Sequence, residues 1–136
     1  MSDKSFGPLP ALEEPNTFFW TAGKDGQLLI QQCGECAYWL HPPGYFCPQC
    51  QSENIQPQAV SGLGSIVAVT VNYQPWMPKQ QVPYVVALVE LDEQAGLRLT
   101  TNIIGVEPEA VAIGQRVKVV FEQRENVWIP LFTPIA

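Results

Sequence analysis

Charge is scarce in this chain, and basic charge scarcest. Only 15% of its 136 residues are charged, and seven basic side chains face thirteen acidic ones. Folded domains usually carry about a quarter charged residues. With 46% apolar residues, the chain has enough material for a core, and wholesale disorder is excluded. The net charge of −6 weighs against a phosphate backbone as partner, because such proteins present a basic face. Histidine occurs once, as His41, so any Ser-His-Asp arrangement would have to use it. No GxxxxGK[ST] or GxGxxG segment is present to cradle phosphates. No run approaches the ~18 apolar residues of a membrane span. The opening residues Met1 to Pro8 have neither a basic start nor an apolar stretch, so they do not read as a signal peptide. A reducing, cytoplasmic setting with no membrane partner is the expectation.

What the chain has in excess is proline, thirteen residues or about twice average usage. This excludes a helical bundle. The prolines avoid three windows: 58–74, 84–107 and 109–129. Central strands do not tolerate proline. These windows hold the β-branched runs Ile66–Val71, Tyr84–Leu91, Leu97–Ile104 and Arg116–Gln123. A further run covers Val127–Phe132, and Gln56–Val60 brings the count to six strands. Asp92 to Gly96 reads as a hairpin loop, and Pro108 to Val111 as one helical turn. The spacing predicts a small closed barrel or sandwich. Before it, residues 1–15 read as an extended arm. Asn16 or Thr17 caps a short helix through Ala22, ended by Gly23 and Gly26. Gln27–Gln32 reads as a strand leading into the cysteines.

Cys33-Gly34-Glu35-Cys36 and Cys47-Pro48-Gln49-Cys50 form the sharpest motif. A CxxC turn sets two thiolates on one side of a tight loop, and two such turns supply a tetrahedral site. Disulfides would need an oxidising compartment, and a redox dithiol needs one CxxC rather than two. Zinc is the favoured metal. Iron has the same ligands, and spacing does not separate the two. Four thiolates leave no open position, so the site is structural rather than catalytic. They also shift the charge to about −8. No ligand is missing, so His41 is read as a packing or surface residue. Tyr38, Trp39 and Tyr45 are read as a cover for the metal. Glu90, Asp92, Glu93, Arg116 and Lys118 are read as solvated charges.

The ordered motifs Phe19-Trp20, Gly26-Gln27-Leu28, the first CxxC, His41-Pro42-Pro43, the second CxxC, Gly62 to Val67, Pro83-Tyr84, Leu97 to Ile103 and Ile113 to Val117 resemble the DUF35 family. The likeness spans about residues 17–134. Gly44 stands where that family often has a basic residue. The resemblance implies a mainly β fold: a short N-terminal helix and rubredoxin-like zinc ribbon over 16–54, then a small OB-fold Greek-key barrel over 55–136. It also implies a non-catalytic accessory or scaffold subunit of an acyl-CoA-processing enzyme. The partner would be a thiolase-like enzyme, an aldolase or a hot-dog hydratase, with acyl-CoA shared between the two. The competing reading is a nucleic-acid-binding ribbon and OB module. Three large aromatics on so short a helix cannot all face one core. At least one of Phe18, Phe19 and Trp20 must meet something else, either the rest of this chain or a partner, and with Tyr73, Trp76 and Met77 of the 73–83 connection they are the candidates to contact the partner or acyl-CoA.

Overall fold

The structure, a computed structural model, describes residues 9–78 and 80–135. Residues 1–8 of the expected arm lie outside the described part. Residues 9–13 form neither helix nor strand and lead into a turn before α1 (Thr17–Thr21). The helix is short because it runs directly into a 3-10 turn, Ala22–Asp25, which ends at Gly26 with φ of 73°. Gly23 was expected to end the helix. It instead lies buried inside the 3-10 turn, where a Cβ would stand 2.5 Å from Phe121 and 2.6 Å from Trp128. Its role is close approach, and only Gly26 needs the left-handed backbone that glycine adopts freely.

Strands β1 (Leu28–Cys33), β2 (Trp39–Leu40) and β3 (Ile55–Val60) make a sheet in the order β2-β1-β3. The sequence reading counts the run from Gln56 with the later strands. This run pairs instead with β1 at six positions, from Leu28↔Val60 to Cys33↔Ile55. The physical reason is visible in its burial: β3 carries only half-buried and exposed residues and has no fully buried side chain to fill a barrel. As an edge strand it also accommodates Pro57.

The barrel therefore has five strands: β4 (Leu63–Asn72), β5 (Tyr84–Leu91), β6 (Arg98–Ile103), β7 (Arg116–Arg124) and β8 (Val127–Pro134). They close in the order β4-β5-β6-β8-β7. The alternation in β5 dictates its placement. Val85, Ala87, Val89 and Leu91 are buried, and the residues between them face out. A bulge between Ile66 and Ala68 bends β4. At Gly64, a Cβ would stand 2.6 Å from the Glu90 carbonyl oxygen, so the barrel corner requires glycine there. Closure comes from the parallel pairing Ile103↔Phe132, with Phe132 fully buried. The expected turn after Pro108 is a 3-10 turn, Pro108–Ala110.

The core joins the two parts. Leu28 and Ile30 of β1 and Phe19 of α1 belong to the same buried cluster as the barrel residues Ile66, Val89, Val117 and Phe132. Among the described residues, no helix is long and apolar enough to cross a membrane.

Candidate metal centre and partner face

Each CxxC knuckle is built the same way. In the first, Ala37 N–H donates to the Cys33 carbonyl (2.9 Å) and Cys33 N–H to Tyr38 O (2.8 Å). In the second, Gln51 N–H donates to Cys47 O and Cys47 N–H to Ser52 O, both at 2.8 Å. Ala37 and Gln51, each just after its knuckle, adopt φ of 67° and 66°. Neither is glycine, so each turn holds a conformation that costs about 1 kcal/mol or more. Backbone N–H groups point at sulfur: Glu35 and Cys36 at Cys33 Sγ (3.3 and 3.5 Å), and Gln49 at Cys47 Sγ (3.3 Å).

The four Sγ atoms lie within 4.8 Å of one another, with Cys33–Cys50 at 3.5 Å and Cys36–Cys47 at 3.6 Å. A tetrahedron with metal–sulfur bonds of 2.3 Å has edges of about 3.8 Å, so the set fits a four-thiolate metal site. The N–H donors from Cys36 and Glu35, helped by neighbouring thiols, outweigh burial and lower Cys33 to about 7. At Cys50 the Ser52 N–H pulls the other way, but burial and the other three sulfurs push the thiol up to about 12. Without a cation the four sulfurs cannot all ionise together, and a divalent metal removes that conflict. The four cysteines are positioned to bind a metal ion.

His41 packs rather than ligates. Its ring lies 4.9 Å from that of Phe19, and burial lowers its pKa to about 4. Trp39 packs against the hydrophobic core, while Tyr45 is 69% exposed and covers little. Phe46 beside it is also exposed. The hairpin charges are paired. Arg116 donates two hydrogen bonds to Asp92 (2.7 and 2.6 Å), Arg98 pairs with Glu90 (3.1 Å), and Glu93 accepts the Ser61 N–H (2.7 Å).

The six aromatic and apolar residues proposed to meet a partner fall into two groups. Phe19 is not surface but core, 6% exposed, and Phe18 and Trp20 pack half-buried against that core. The physical reason is that α1 lies against β8 and β1 and turns its central aromatic into the ribbon–barrel seam. Tyr73, Trp76 and Met77 are exposed, Trp76 at 71%. Their loop is nonetheless held. Trp76 Nε1–H donates to Asn72 Oδ1 (3.2 Å), Trp76 N–H to Gln80 Oε1 (2.8 Å), and the Tyr73 hydroxyl donates to Glu109, which raises the phenol pKa.

Beside α1 lies a cleft of about 340 Å³, with Phe19 and Trp20 on one side, His41, Pro42 and Pro43 on another, and Arg98 to Thr100 of β6 on the third. Two glutamines that sequence reading passed over hold the segment that carries the His41-Pro42-Pro43 wall. Gln31 and Gln94 each clasp the backbone of one residue in the segment between the knuckles, Gly44 and Trp39 respectively. Residue type gives no signal for such clasps.

The profile of the ChsH2 rubredoxin-like zinc ribbon domain matches residues 20–56, and that of the ChsH2 C-terminal OB-fold domain matches residues 57–122. A probable enoyl-CoA hydratase alpha subunit of Thermomonospora curvata is 38% identical over 132 residues, covering 96% of this chain and 41% of the relative. The chain thus spans about two-fifths of the length of that subunit, and 35% of a Mycobacterium tuberculosis 3-oxo-4,17-pregnadiene-20-carboxyl-CoA hydratase alpha subunit. A DUF35 domain-containing scaffold protein of Methanothermobacter thermautotrophicus is 34% identical, covering 68% of this chain and 69% of its own. A chain of the solved Ltp2-ChsH2(DUF35) aldolase superposes with a TM-score of 0.83 at 37% identity, covering 93% of this chain and 98% of that one. A Sulfolobus solfataricus DUF35 protein shares the fold, with a TM-score of 0.62 at 16% identity. With a four-cysteine ribbon joined to a closed five-strand OB barrel, the chain belongs to the DUF35 family.

Proposed function

We propose that this protein is a non-catalytic scaffold subunit of an acyl-CoA-processing enzyme, docking a partner of the aldolase, hydratase or thiolase-like kind. The observation that carries the reading is the combination of a closed four-thiolate site with a held, exposed aromatic loop. The first supplies no open coordination position for substrate. The second presents Trp76 and Met77 at little further cost of ordering, which suits an interface anchor. The near end-to-end likeness to the DUF35 chain of an aldolase supports the partner class. The cytoplasm is the compartment in which such a thiolate site stays reduced.

In this reading zinc is the metal, held by Cys33, Cys36, Cys47 and Cys50. It contributes a cross-link worth roughly 10–16 kcal/mol in small zinc peptides and takes no part in turnover. Acyl-CoA would meet the protein at the cleft beside Trp20. Arg98, the one cation among the cleft residues, is already paired with Glu90, so the partner would supply most of the groups that hold the phosphates.

The test is co-expression with enzymes encoded beside it, followed by co-purification and acyl-CoA turnover assays on each protein and on the pair. The expected result is a stable complex whose activity needs the partner's active site. Robust turnover by this chain alone, or no stable complex with any acyl-CoA enzyme, would overturn the reading.

A further inference from the structure

The ten residues between the knuckles, 37–46, have little strand pairing of their own. Their only strand, β2, pairs with β1 at two positions, Gln31↔Leu40 and Gln32↔Trp39. Two such pairs are far short of a self-supporting ladder. The segment is fixed from outside. Its ends run into Cys36 and Cys47, two of the four thiolates. Within the ribbon, the buried Gln31 side chain accepts the Gly44 N–H (2.7 Å) and donates to the Gly44 carbonyl (3.1 Å). Across the seam, the Gln94 side chain does the same for Trp39, accepting its N–H and donating to its carbonyl, both at 2.9 Å.

Gln94 sits in the loop joining β5 and β6, so its amide acts as a substitute strand edge for β2, extended from the barrel. Its neighbour Glu93 accepts the Ser61 N–H as the chain leaves β3. One hairpin tip thus grips the ribbon at its middle and at its exit. Between the Trp39 and Gly44 clasps, His41 lies against Phe19, and His41, Pro42 and Pro43 form one wall of the 340 Å³ cleft.

We propose that Gln94 is a latch that couples the metal centre to the cleft: the metal closes the segment, the closed segment seats Trp39 in the Gln94 amide, and the cleft wall stands only with both in place. Gln94 is a positioning residue here and touches no ligand. The coupling is a free energy shared between two sites, so it runs both ways. Removing the metal frees the latch, and removing the latch loosens the metal. The inference needs the metal site alone. It does not depend on the partner or on acyl-CoA.

The experiment uses the full chain loaded with zinc. Gln94→Leu keeps the side-chain size and deletes both bonds. At about 1 kcal/mol net for each of the two neutral hydrogen bonds, zinc affinity measured by chelator competition should fall about thirtyfold. Gln123→Leu removes an amide bond to Glu125 O at the β7–β8 turn, whose strands do not pair with the ribbon sheet, and should leave affinity unchanged. In the wild-type chain, stripping zinc should abolish the NMR contacts between the His41 and Phe19 rings and the distinct side-chain amide signal of Gln94. The β5 backbone amides should stay protected. Wild-type zinc affinity in Gln94→Leu, or a zinc-free chain that keeps the His41–Phe19 contact, overturns the proposal. Should Gln94→Leu fail to fold, the zinc-stripped wild type decides alone.

Discussion

Truncating Trp76 to alanine separates a docking anchor from a core residue, and the structure sets the scale of each outcome. A tryptophan presents up to about 250 Å². With 71% of it exposed, about 180 Å² is open to a partner. At roughly 25 cal/mol per Å² this is a gross ~4 kcal/mol, of which interface ordering costs absorb part. A loss of about 2 kcal/mol or more is therefore expected, which weakens the complex at least thirtyfold. The hydrogen bonds from Trp76 to Asn72 and Gln80 already hold the loop, so little ordering cost remains at that side chain. For stability the figures reverse. Only about 70 Å² is covered within the chain, which caps the loss near 2 kcal/mol, an upper bound on extended-chain areas. Phe19→Ala, by contrast, removes a ring that is 6% exposed and should cost about 3–5 kcal/mol. The assay is titration of the partner with each variant, alongside thermal unfolding of the variant alone. Trp76→Ala should shift Tm by a few degrees and lose binding. If it unfolds while binding per folded molecule is intact, Trp76 belongs to the core and the proposed face is wrong.

Cys36→Ser should lose the metal and melt the ribbon. Metal analysis of freshly purified, reduced wild-type protein should give one zinc per chain, and finding neither zinc nor iron would refute the site. Gly23→Ala places a Cβ 2.5 Å from Phe121 and should cost about 1–3 kcal/mol through overpacking. Gly26→Ala meets open space and pays only for its left-handed backbone, about 1 kcal/mol, so denaturant midpoints should rank the two in that order. His41 is held near 4 against an ordinary 6.5. It thus adds stability that is complete above about pH 6.5 and is lost as pH falls toward 4, by at most about 3 kcal/mol. His41→Phe keeps a ring on Phe19 and should flatten this part of the pH profile. Comparing the two proteins cancels metal release common to both, and parallel profiles would refute the assignment.

The parts of the fold legible in the sequence are those where one physical demand dominates. The run from Tyr84 to Leu91 alternates because one face fills the barrel, and its bounds match the strand residue for residue. The thiolates are legible because a tetrahedral site needs four of them at close spacing. Other features depend on what lies across the fold. Nothing in Ile55–Val60 says that it pairs with β1, since a polar-rich run with three apolar residues suits an edge of either sheet. Gly23 looks like a helix terminator until Phe121 and Trp128 are seen above it. Ala37 and Gln51 bear left-handed backbone because the knuckle geometry demands it, against their own preference. Gln31 and Gln94 are ordinary polar residues in sequence, and their two-way clasps exist only once the ribbon meets the barrel.

Charge placement separates a protein partner from a nucleic-acid one. The chain begins at −6 and reaches about −8 with four thiolates bound to a divalent metal. Two of its seven basic residues, Arg98 and Arg116, are paired with Glu90 and Asp92. The outer face of β4, β5 and β6, the surface on which OB barrels commonly read single strands, presents Ala68, Thr70, Val86, Leu88 and Thr100, with no charged side chain lining that shallow groove. A single strand needs a basic track with stacking aromatics. The exposed Tyr73 and Trp76 follow the end of β4 and do not line this groove, and Tyr73 is bonded to Glu109. Placed this way, the aromatics suit an apolar socket on a protein, and a salt titration checks it. Complex formation governed by Trp76 should weaken little between 50 and 200 mM salt, whereas binding through about six to ten phosphate contacts would fall ~10³-fold or more over that range. A steep salt dependence together with retention on single-stranded DNA would overturn the scaffold reading in favour of a nucleic-acid module.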